Sequence, residues 1–130
     1  MSTLKVNSIQ DTSGGNESTA AEINSGRLKA WGSFKGSGTV SIHASYNFSS
    51  ITDISNGRYR LNFSTNMSDT NYSITAQTMK GDNNNDGNGK IQCGGCDGTP
   101  AVNVGSFEAR TLASHLDHFD PDKFWVMVAR

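Results

Sequence analysis

Nine consecutive residues alternate strictly between two kinds of side chain. Val40, Ile42, Ala44, Tyr46 and Phe48 are apolar or aromatic, and Ser41, His43, Ser45 and Asn47 between them are polar. Successive side chains of an extended strand point to opposite faces, so this pattern specifies a half-buried β-strand and excludes an amphipathic helix. The same period places Tyr59, Leu61 and Phe63 on one face, and Tyr72, Ile74, Ala76 and Thr78 on the inner face of a later strand. Asn56-Gly57 before Tyr59 is a hairpin signal. Residues 30–34, 90–93, 101–104 and 107–112 read as further strands. Residues 124–129 are apolar on both faces, which predicts a strand that is central or buried between subunits. Short strands broken by turn signals predict an all-β fold: an antiparallel β-sandwich, jelly-roll-like in arrangement. No internal repeat points to a solenoid or propeller.

Residues 1–26 follow a different pattern. Leu4 to Ile9 could form one short strand. A single short helix is predicted after it, with Ser18 or Thr19 as N-cap, Glu22 near the third helical position and Gly26 as the stop. The chain therefore divides into an N-terminal segment, 1–26, and a β-sandwich domain, 27–130. Ser, Thr, Asn and Gly make up 55 of the 130 residues, and apolar residues only 34%. So thin a core leaves little margin over chain entropy, and oligomerisation would supply the missing burial. Eleven basic and twelve acidic residues are scattered without a basic stripe, which argues against a nucleic-acid binder. No apolar run approaches the roughly 20 residues of a membrane span, so no insertion is expected. The N-terminus lacks the apolar core of a secretory signal.

Three constellations are candidates for chemistry. Cys93-Gly-Gly-Cys96, with His115 and His118 downstream, has the residue types of a structural zinc site. The same two cysteines could instead form a disulfide or remain free thiols. Asp82, Asn84, Asp86 and Gly87 match the start of a calcium loop, but the twelfth position is Cys93 rather than Glu. Asp97 is a possible further oxygen donor. His43, His115 and His118 could meet in a symmetric assembly, although solvent-facing histidines are the plain alternative. Glu108, Asp117, Asp120 and Asp122 are the only carboxylates suggestive of glycan cleavage, and no nucleophile-elbow or phosphate-loop motif accompanies them. The chain is not expected to be an enzyme or to require a cofactor; zinc or calcium would be structural.

One stretch is more specific. Lys29-Ala30-Trp31, Phe34, Gly36-Ser37-Gly38-Thr39, the run Asn47 to Asp53, Tyr59, Asn62-Phe63-Ser64-Thr65, Met67 and Asn71-Tyr72 together resemble a module of bacteriophage tail fibres, of the kind found in phages of cyanobacteria. The resemblance covers residues 1–76 and fades beyond. It implies a virion structural protein, typically homotrimeric, located in a tail appendage. Residues 1–26 would dock to other tail or baseplate proteins, and the β domain would contact a host-surface glycan or protein. Trp31, Tyr46, Phe48 or Trp125 could then be buried between subunits. The Asn/Gly loop 80–100 is expected to carry receptor recognition through Asp82, Asn84, Asp86, Asn88 and Asp97, with the connection 114–123 beside it. The alternatives are a purely structural virion component, such as a capsid decoration, baseplate or connector protein, and a lectin-like carbohydrate-binding module.

Overall fold

The computed structural model describes residues 2–15, 17–79, 90–94, 102–112 and 118–130. Its elements in chain order are β1 (Ser8–Ile9), β2 (Ser18–Thr19), α1 (Ala20–Gly26), β3 (Leu28–Lys35), β4 (Ser41–Tyr46), β5 (Phe48–Ser55), β6 (Arg58–Phe63), β7 (Ser73–Met79), β8 (Lys90–Cys93), β9 (Val102–Asn103), β10 (Ser106–Leu112) and β11 (Lys123–Ala129). All strand pairings are antiparallel. One sheet has the order β4-β3-β11-β7. The other runs β5-β6-β10-β8, with β9 also paired to β10. This is the all-β sandwich that the alternation predicts, and β11 is a central strand, as its two apolar faces require.

The inner faces meet over a largely aromatic core. Tyr59, Leu61, Phe107 and Ala109 from one sheet and Ala30, Phe34, Phe124 and Val128 from the other are fully buried. Phe34 stacks on Phe124 at 5.2 Å and meets Phe48 edge-on at 5.3 Å. Phe48 is therefore part of the chain's own core, not available to a subunit contact. Such ring pairs add to their area burial, and they concentrate cohesion in a chain with few apolar residues.

The strict alternation from Val40 to Phe48 does not survive folding. Phe34 pairs with Ile42, but the preceding Ser33 pairs with Ala44, leaving His43 as an extra residue. This β-bulge moves every following side chain to the opposite face. Ile42 packs against the core, whereas Ala44 and Tyr46 turn to the outer surface. Asn47 then restores the direction. Its φ of 59° lies in the left-handed region, which asparagine tolerates better than most residues. Its side chain donates to the carbonyls of Lys29 and Thr65, each at 3.1 Å, and accepts from the Thr65 amide at 2.7 Å. The chain thereby turns from one sheet into the other, and Phe48 re-enters the core.

A clasp closes the opposite end. Asp120 Oδ1 accepts from the Gly57 amide and from the Tyr59 hydroxyl, both at 2.7 Å. The Pro121 carbonyl accepts from the Gly36 and Ser37 amides at 2.9 Å, and Thr111 Oγ1 donates to the Phe119 carbonyl. Gly57 has φ of 64°, and a Cβ there would lie 2.8 Å from the backbone of Phe119. Residues 118–122 thus join the β3–β4 loop, the β5–β6 turn and β10.

In the N-terminal segment, only Ser8–Ile9 of the expected strand pairs, with Ser18–Thr19. The helix forms as predicted: Thr19 caps it, and Glu22 completes the capping box. None of its residues is buried. Leu4, Val6, Ile9 and Ile23 are exposed. Among the described residues, no helix is long and apolar enough to cross a membrane.

Candidate functional site

The outer face of the β4-β3-β11-β7 sheet carries large apolar side chains in the open. The register fixes their layout. Tyr46, Trp31, Met127 and Thr75 are successive cross-strand partners in one row, and Ala44, Ser33, Trp125 and Gln77 in the next. Trp31 is 43% exposed, Trp125 36%, Tyr46 50% and Met127 47%. Their neighbours on β3 and β11 (Ala30, Phe34, Phe124, Val126 and Val128) face the core, so these side chains face outward by parity.

An open groove of about 800 Å³ runs across this face, lined by Leu28, both tryptophans, Met127 and Ala44, with His43, Thr75 and Gln77 supplying polar groups; the Ser33 hydroxyl beneath it is buried. The Lys123 ammonium sits 5.5 Å from the Trp125 ring centroid, which places a cation over the indole. Monomeric proteins rarely expose a contiguous apolar patch of this kind unless it binds something. Flat aromatic faces with hydrogen-bonding groups at the rim match ligands that have an apolar face and a polar edge. The outer face of the other sheet differs in chemistry. Asn62 bonds Ser50 and Thr52, and Glu108 pairs with Arg58 and Arg60 at 3.4 and 2.6 Å.

Of the residues singled out for chemistry, those described by the structure lie in separate places. Asp82, Asn84, Asp86, Asn88, Cys96, Asp97, His115 and Asp117 lie outside the described residues. Cys93 is a free thiol on β8, packed against the core, and burial pushes its pKa up to about 12. His118 forms a bridge with Leu112; its carbonyl accepts from Asn56, and its buried Nδ1 has no partner among the described residues. His43 lies on the aromatic face, lining the groove. No cluster of three metal-ligating side chains occurs among the described residues. Glu108, Asp120 and Asp122 are engaged structurally, Asp122 by the Ser37 hydroxyl at 2.9 Å. Hydrogen bonds from Arg60, with Arg58 adding to them, hold the Glu108 carboxyl below the usual range.

Trp31, Tyr46 and Trp125 are among the residues expected between subunits; the register adds Met127, Thr75 and Gln77 as their neighbours on an open face. The local sign that Trp31 and Trp125 face outward is parity: each is out of phase with the core residues of its own strand. Nothing local marks Thr75 or Gln77, which join the groove only through pairing of β7 with β11.

No protein-family model matches the chain, and no curated protein matches it. Among solved structures, the chain is similar to the phiAB6 tailspike, solved in complex with three-repeated oligosaccharides of Acinetobacter baumannii surface polysaccharide. The TM-score is 0.56 at 13% identity, over 94% of this chain and 22% of that one. The chain thus spans about a fifth of that tailspike's length, and at this identity the likeness is one of fold.

Proposed function

We propose that this chain is the host-attachment module of a phage tail appendage and binds a surface glycan along the groove between Trp31 and Trp125. The observation that carries the reading is the pair of half-exposed indoles on one sheet face, rimmed by His43, Thr75 and Gln77. A pyranose ring lays its C–H face on an indole as any apolar surface would, while its hydroxyls exchange hydrogen bonds with the rim. The fold shared with part of an oligosaccharide-bound tailspike supports the same reading. In this proposal the chemistry is binding, not cleavage.

The proposal assigns the N-terminal segment a second task. Leu4, Val6, Ile9 and Ile23 are exposed on a segment whose helix buries nothing, and those side chains suit docking to a tail or baseplate protein and assembly into a homotrimer. Native mass spectrometry would read the assembly directly. The glycan claim is tested by titrating the purified chain against surface polysaccharide isolated from bacteria that the phage infects. Saturable binding that is lost in Trp31→Ala with the fold intact is expected. Absence of binding, with the protein located away from the tail on labelled virions, would favour a capsid decoration or connector role.

A further inference from the structure

A second groove, of about 560 Å³, lies at the α1 end of the sandwich. It meets the aromatic groove: Leu28 lines both, and Tyr46 in the second groove is the cross-strand partner of Trp31 in the first. Among the described residues, its lining contains three cations, Arg27, Lys29 and Arg130, and no carboxylate side chain. The whole chain carries a net charge of −1, so the local excess is not a reflection of overall composition.

The three cations are not equivalent. Arg130 is held by Asp69. Lys29 donates to the carbonyl and side-chain oxygens of Asn24, which fixes its ammonium at the helix end. Arg27 is exposed, and it makes no hydrogen bond or ion pair among the described residues. A planar guanidinium with all its donors free is suited to a carboxylate, which it can grip with two parallel hydrogen bonds. Ser64, Thr65, Asn66 and Ser68, which line the same groove, offer hydroxyl and amide groups of the kind that sugar hydroxyls use.

We infer that the glycan taken by this surface is acidic, with neutral sugar rings on Trp31 and Trp125 and a carboxylate-bearing sugar seated between Arg27 and Lys29. The inference rests on the attachment reading and adds to it the charge of the ligand and its direction along the trough. Charge complementarity chooses the anion; continuity with the aromatic groove chooses a saccharide as its carrier. Arg27 acts as the specificity determinant, and Lys29 adds a positioned positive charge.

The test compares a uronate-containing bacterial surface polysaccharide with the same polymer after chemical reduction of its carboxyl groups. Reduction is expected to weaken binding by about tenfold or more, the loss of a charge-assisted contact. Arg27→Gln should bind the native polymer markedly less tightly, and R27Q/K29Q should bind both polymers alike. Because Arg27 is exposed and unpaired, its variant should keep the wild-type melting temperature, which separates a binding effect from misfolding. Equal affinity of the wild type for native and reduced polymers would overturn the acidic-ligand inference while leaving glycan attachment standing. Retention of the preference in R27Q/K29Q would overturn the assigned site. Failure of the wild type to bind either polymer would overturn the attachment reading and this inference with it.

Discussion

Tyr59 and Asp120, 61 residues apart in sequence, share a 2.7 Å hydrogen bond that ties β6 to the connection entering β11. Tyr59 is fully buried and also reaches the Gly36 carbonyl. The bond therefore links both sheets through one side chain. Tyr59→Phe should cost about 1.5–3 kcal/mol, the loss of one hydrogen bond to a charged acceptor. Asp120→Ala should cost more, because the Gly57 amide also loses its partner. The two effects should be less than additive in the double variant. Chemical denaturation of the three variants checks the order.

The buried tyrosines make the protein sensitive to alkali. Desolvation, reinforced by the Asp120 carboxylate, pushes the Tyr59 pKa far above the ordinary value, and desolvation raises Tyr72 to about 12. A folded-state pKa above the unfolded one, about 10 for tyrosine, means that the folded state favours the protonated form. The stabilisation is fully present below about pH 10 and is lost as pH rises toward 12. Unfolding free energy should fall steeply between pH 10 and 11.5, and less so in Tyr59→Phe relative to its own neutral-pH value. An identical alkaline fall in the variant would contradict the assignment to Tyr59.

Asn47 should be among the least replaceable polar residues. Asn47→Ala removes the contacts to Lys29 and Thr65 and places alanine at φ of 59°. Asn47→Gly removes the same contacts without the backbone penalty. Both should destabilise, with the alanine variant worse by about 1–2 kcal/mol, the cost of a left-handed conformation for a residue with a Cβ. Equal melting temperatures would show that the turn relaxes.

Much of the sandwich was legible because its signals are local. The alternation of Tyr59, Leu61 and Phe63 survives unchanged as the buried face of β6. Apolar residues on both parities of 124–129 anticipated a central strand, and Thr19 with Glu22 marked the helix start. The bulge at His43 was not legible. Residues 40–48 alternate without a break, so the sequence offers no local sign that Tyr46 leaves the core face. The bulge exists because β4 must pair with β3 and also reach the Asn47 turn, a tertiary demand. The aromatic groove was half legible for the same reason. Trp31 and Trp125 declare their outward parity, but only the β3–β11–β7 pairing joins them to Met127, Thr75 and Gln77. The clasp was hidden because Asp120 sits in a polar stretch that reads as solvated loop, and only its contacts with Gly57 and Tyr59 mark it as structural.

The chain contains two tryptophans, and both line the aromatic groove. Intrinsic tryptophan fluorescence therefore reports on this surface alone. Titration with the host's surface polysaccharide should produce a saturable blue shift as a sugar ring displaces water from the indoles. Trp31→Ala and Trp125→Ala should each remove part of the signal and weaken binding, and neither should greatly lower the melting temperature because both side chains are half-exposed. Binding of the polysaccharide with tryptophan emission unchanged, or with full affinity in the Trp31→Ala, Trp125→Ala double variant, would contradict the account.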